Sequence, residues 1–117
     1  MSNKKYQSIM VKVDDKITKY VLSRTFPLHI DFPFVLYYYS KKAKAVVGEA
    51  VCYDIEDVSK PEYIAEKTGH TVESTIKYLE GCDGYLWKVS DIQHYKSHRD
   101  LNFYNLKRPP GKWRYVE

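Results

Sequence analysis

Apolar residues recur along this chain in short blocks, the longest running from Phe32 to Tyr39, and Gly, Pro, Asp and Lys separate them. Tyr6, Ile9, Met10 and Val13 fall at i, i+3, i+4 and i+7. That spacing predicts an apolar stripe on a short N-terminal helix, ended by Asp14 and Asp15. Ile17 to Leu22 reads as a strand, and Ser23 to Pro27 leaves it for a loop that also holds Pro33. Phe34 to Ser40, rich in Tyr, Val and Phe, reads as a central strand on which Tyr37 and Tyr39 point away from Tyr38. A lysine turn follows at Lys41 to Lys44, and then a strand from Val46 to Ile55. Gly48 inside that strand marks a bulge, a barrel corner or closely approached backbone.

Two short helices come next. Ser59-x-x-Glu62 has the form of a capping box, with Pro61 in the first turn, for a helix reaching Thr68 and stopping at Gly69. Thr71 can cap a second helix that carries Val72, Ile76 and Leu79 and ends at Gly81. Gly84 to Val89 reads as a strand and Ile92 to Tyr95 as a short edge. After Pro109-Pro110-Gly111, the residues Trp113 to Val116 can add a closing strand. The expectation is one α+β domain over residues 1–117, a small mixed or mostly antiparallel β-barrel with an N-terminal helix and two inserted helices. Closure would remove exposed sheet edges.

A chain of 117 residues can bury one sizeable core without a staple, so Cys52 and Cys82 read as free thiols. No apolar stretch follows the charged N-terminus and none is long enough to span a bilayer, so a cytoplasmic protein with no membrane partner is expected. Nineteen Lys and Arg against fifteen Asp and Glu leave a formal charge of +4, which permits a nucleic-acid partner without requiring one. The cations gather at Lys41, Lys42 and Lys44 and again from Lys96 to Arg114, while residues 49–80 are mostly acidic. Twelve Tyr, four Phe and two Trp set beside these cations suit base stacking, and equally suit a small strand-rich core.

The order of Lys16-x-Thr18, Tyr37-Tyr38-Tyr39-Ser40, Val47-Gly48-Glu49-Ala50 and Pro109-Pro110-x-x-Trp113-x-Tyr115 resembles the ASCH family of the PUA-like superfamily over nearly the whole chain. The resemblance implies a PUA-like barrel with a cleft that takes RNA or a modified nucleotide. For some members it implies an amidohydrolase that removes an acyl group from a cytosine amine. It carries Lys16, Thr18, Arg24, Tyr39 and Ser40 to the cleft. One departure concerns the acid expected before the arginine, because Lys19-Tyr20-Val21-Leu22-Ser23-Arg24 holds none. Of the family's acidic positions, Glu49 and Glu80 are kept.

Three functions follow as expectations. The first is a nucleic-acid binding module, of use in transcriptional regulation or translation. Arg24 offers bidentate donors where a strand meets a proline loop, Trp113 offers a stacking wall, and Arg108, Lys112 and Arg114 suit phosphates. The second is the hydrolase, with Lys16 as base, Thr18 as nucleophile or orienter and Glu80 as proton carrier. The third is a protein-interaction role in which the aromatics form a seam. His94 and His98 would share a helical face, but Tyr95 stands where an HExxH motif needs glutamate, so no metal is expected. No cofactor motif is present.

Overall fold

The structure, a computed structural model, describes residues 6–15 and 17–117. Its strands are β1 (Tyr6–Val13), β2 (Tyr20–Ser23), β3 (Ile30–Ser40), β4 (Ala45–Val58), β5 (Gly84–Arg99) and β6 (Trp113–Val116). Helices α1 (Pro61–Thr68) and α2 (Val72–Leu79) join β4 to β5, and a 3₁₀ turn covers Leu101–Tyr104. The six strands form one mixed sheet ordered β2-β5-β4-β3-β1-β6, in which, among the described residues, β1 and β3 run parallel and the other neighbours antiparallel.

Residues 6–13 are a strand where the spacing predicted a helix. The reason is burial on both faces. Ile9 and Val11 enter one core cluster and Met10 enters another, as β1 is held between β3 and β6. A strand covered on both sides reads as a continuous apolar run, and such a run contains the helical spacing by accident.

The expected barrel is likewise corrected. β2 and β6 are the two edges of the ladder and are not paired with each other. The sheet is nevertheless curled, because one face of all six strands supplies a single cluster that includes Val11, Val21, Leu36, Tyr38, Cys52, Trp87 and Trp113. Between the edges, the Trp113 indole Nε1–H donates to Thr25 Oγ1 at 2.9 Å. A side-chain contact bridges the place where a closed barrel would have a ladder.

Two further clusters cover the outer face. Met10, Tyr39, Val46, Tyr104, Leu106 and Val116 form one beneath the 3₁₀ turn, so Tyr37 and Tyr39 do point away from Tyr38. Leu22, Val58, Leu86, Ile64 and Leu79 form the other, which seats the helix pair on β2 and β5. α2 begins as expected, with the Thr71 hydroxyl accepting from the Ser74 N–H. α1 begins at Lys60 with no side-chain cap rather than through the capping box. Pro61 has already removed one of the donors that such a cap would satisfy. α1 stops at Gly69 in the left-handed region (φ 78°).

Gly48 is required where it stands, since a Cβ there would collide with the Gln93 carbonyl oxygen and the Ile17 side chain. The ladders on both sides of it shift register, so it is a bulge and a close approach together. β5 unites the two pieces expected at 84–89 and 92–95 into one long strand, and His94 and His98 lie on it rather than on a helix.

Cys52 is buried and Cys82 exposed. Burial pushes the Cys52 thiol up to about 12, so it stays protonated at neutral pH. A thiol reagent is therefore expected to titrate one cysteine in the native protein and two in denaturant, and rapid native labelling of both would contradict this packing. Among the described residues, no helix is long and apolar enough to cross a membrane.

Candidate functional site

A cavity of about 900 Å³ opens between the inner core and the helix pair. Its walls come from the end of β1 (Lys12 to Asp15), Thr18, β2 and Arg24, Ser74 and Tyr78 of α2, and Gly111 and Lys112 of the tail. Each charged group has a structural reason to be there.

Arg24 follows the last residue of β2. The buried Ser23 Oγ accepts the Thr25 N–H at 3.1 Å, and Thr25 Oγ1 accepts from Trp113. With both neighbours tied to the closure, the Arg24 side chain reaches the cleft mouth, 5.5 Å from the centre of the Tyr78 ring and 3.2 Å from the Glu80 carboxylate. Arg24 is 46% and Glu80 73% exposed, so this ion pair adds little stability and can open to a ligand.

Lys112 arrives by an extension of the β1–β6 ladder, as the Lys12 N–H donates to the Lys112 carbonyl at 2.8 Å. Its ammonium lies 5.8 Å from the Tyr78 ring centre. Burial holds its pKa below the ordinary lysine value, and the nearby Lys12 charge adds to that against the opposing pull of Asp14. Tyr78 thus has two cations within reach of one ring. Its own phenol is pushed up by burial, with Arg24 opposing, and stays neutral.

Thr18 lines the cleft beside these groups. The Tyr38 hydroxyl donates to its carbonyl at 3.2 Å, and its own hydroxyl donates to the Tyr20 carbonyl at 2.7 Å. The Thr18 proton is therefore already engaged. Asp14 and Asp15 are the carboxylates that line the cavity.

Of the residues expected at the site, Thr18, Arg24 and Lys112 are brought together, and Glu80 joins through Arg24. Lys16 lies outside the described residues. Tyr39 is buried in the outer-face cluster, and buried Ser40 uses its Oγ to accept the Ala43 N–H, so neither reaches the cleft. Trp113 packs on Trp87 and Tyr115, with ring centroids 5.6 and 5.2 Å away, as part of the closure. Arg114 is exposed beside a second hollow lined by Tyr6, Leu106 and Tyr115, and Arg108 is exposed on the tail. Sequence reasoning missed Lys12, Ser74 and Tyr78. The i, i+4 spacing of Ser74 and Tyr78, one residue behind the buried Thr75 and Leu79, was the signal that α2 has a second occupied face.

No protein-family model and no curated protein matches the sequence. The fold is matched by a crystal structure of the ASCH protein of Zymomonas mobilis, with a TM-score of 0.76 at 14% identity, covering 95% of this chain and 88% of that one. A mutant of the same protein gives 0.78 over 97% of this chain and 91% of that one, also at 14% identity. The chain has the ASCH fold. The N-terminal domain of Staphylothermus marinus McrB is a more distant likeness, with a TM-score of 0.51 at 10% identity over 86% of this chain and 80% of that one. On the ASCH fold seen here, the cleft lies between the strand-bearing half and the helix pair, where β1, β2, α2 and the tail each contribute a side chain.

Proposed function

We propose that this chain is a nucleic-acid binding module of the ASCH family that takes one nucleotide of an RNA, ordinary or modified, into the cleft. The observation that carries the reading is Tyr78, approached by Arg24 and Lys112 on the wall of a cavity of nucleotide size. A base can lie against the ring while the two cations and Lys12 meet phosphate, a division of labour between stacking and charge. Arg108, away from the cleft, would serve the backbone outside it.

The reading is tested by titrating the protein with single-stranded RNA, duplex RNA and DNA at two salt concentrations. Salt-sensitive RNA affinity is expected, with Arg24→Ala weakening it about 10- to 100-fold, the worth of a charge-assisted contact. Equal affinity of Arg24→Ala and the parent protein would remove the cleft from the account.

A second reading, hydrolysis of an acylated cytosine nucleoside, is favoured by the partly desolvated Lys112 amine beside Thr18 and Asp14. Against it, Thr18 has its proton committed to Tyr20 and Glu80 does not line the cavity. Release of free cytidine from an acylated cytidine, lost in Thr18→Ala, would support it.

A further inference from the structure

At Asp14 and Asp15 the cleft rim meets the lysine turn. The Lys41 and Lys42 N–H groups donate to the Val13 and Asp14 carbonyls at 2.8 and 2.9 Å, which presses the lysine turn against the cleft rim. Beyond the turn, Val46 pairs with both Tyr39 and Arg99, so the end of β5 lies next along the same end of the sheet. From β1 to β5 this is three strand spacings, about 14 Å.

At the far end stands an unusual aromatic cluster. The Arg99 guanidinium lies 4.1 Å from the centre of the Tyr95 ring and 4.5 Å from that of Phe103. The Tyr95 hydroxyl donates to Glu49 at 2.7 Å, and the Tyr104 hydroxyl accepts from Arg99 and donates to the Tyr95 hydroxyl. The cluster is fixed from below, since Asp100 accepts the Phe103 N–H at 3.2 Å and sets the 3₁₀ turn. Phe103 itself remains 63% exposed, the second most exposed of the large apolar side chains described. A core would have covered it. Instead it is presented on a stack whose positive charge is held beneath the ring.

The charges between the two ends agree. Asp15 is answered by Lys42, Glu49 by Tyr95, and Asp100 by the turn. Lys41, Lys44 and Lys96 are exposed and have no ion-pair partner among the described residues. A surface of free lysines that ends on a cation-backed ring fits a polyanion bearing flat bases.

We infer that the nucleic-acid site is a track with two stations, the cleft and the Phe103–Arg99–Tyr95 stack, joined across the Lys41–Lys44 turn, so that the ligand is a single strand of several nucleotides. This rests on the cleft reading above. It also places a stacking residue, Phe103, where no motif pointed.

The experiment compares binding of the four ribonucleoside monophosphates with that of single-stranded RNAs of increasing length, for the parent protein and Phe103→Ala. Affinity is expected to rise with length until both stations are filled. Phe103→Ala should weaken the longer RNAs about 5- to 100-fold, the worth of one stacked base, and leave the mononucleotides unchanged. Replacing Lys41, Lys44 and Lys96 by Gln should reduce the salt slope for the longer RNAs by about 2. Longer RNAs that bind no better than mononucleotides, or that ignore Phe103→Ala, would overturn the second station while leaving the cleft, and would mark the patch as facing a protein. Loss of mononucleotides and RNAs alike in Phe103→Ala would overturn it too. Failure of the parent protein to bind any of them would bring down the cleft reading and the track together.

Discussion

Trp87→Ala is expected to cost about 3–5 kcal/mol of folding stability, the largest loss available from one side chain in this core. Trp87 is fully buried at the centre of the inner cluster, edge-on to Phe34 and packed on Trp113 at 5.6 Å. Its removal would leave a void beneath the Trp113–Thr25 bridge, which holds the tail near β2 and with it Lys112 and Arg24. Trp87→Phe separates two contributions. Among the described residues, the Trp87 indole N–H is the buried side-chain polar atom with no hydrogen-bond partner, and phenylalanine discards that orphaned donor along with some volume. The two effects oppose, so Trp87→Phe should stay within about 1 kcal/mol of the parent protein. Urea unfolding of both variants checks this. A Trp87→Ala protein as stable as the parent would mean that the inner cluster is not packed as described.

Substitution at Lys112 should move stability and binding in opposite directions. The folded protein holds the Lys112 ammonium below its ordinary pKa because burial removes its water. The unfolded chain therefore binds this proton more readily. The contribution of Lys112 to stability is unfavourable below the lowered folded value and rises towards neutral as pH climbs to the ordinary lysine value. Lys112→Met, close in shape and without charge, should accordingly raise the unfolding midpoint at neutral pH. The same change should weaken RNA about 10- to 100-fold, and with Arg24→Gln added about 100- to 1000-fold, since both cations at Tyr78 are then gone. In the parent protein, affinity should fall as pH rises through the lowered Lys112 value, and Lys112→Arg should flatten that fall by keeping its charge. Lower stability together with unchanged binding in Lys112→Met would show the amine to be a structural cation.

Much of the fold was legible because its signals are local. The Phe34 to Ser40 run, the Thr71 cap, the stop at Gly69 and the return of the tail at Trp113 depend on propensity, capping and backbone conformation within a few residues. β1 failed because its period was set by burial on two sides, which the stretch itself does not reveal. Tyr39 lies away from the cleft for a related reason, and Ser40 because its hydroxyl is taken by the turn that follows. Alternation told which tyrosines share a face, and only the packing of Leu106 and Tyr104 told that this face was already covered.

The sequence by itself determined strands at the positions of β2 to β6, the two helices inserted between β4 and β5, and a basic, aromatic tail, because strand, helix and turn preferences and the charge count are properties of short stretches. Tertiary structure decided that the sheet would curl without closing, and that Arg24, Tyr78 and Lys112 would meet at one cavity. It also decided that Phe103 would stand exposed on Arg99. The curl and the cleft join residues far apart in the chain through the Trp113–Thr25 bridge and the β1–β6 ladder, and the contacts that fix them exist only once the strands have found their neighbours.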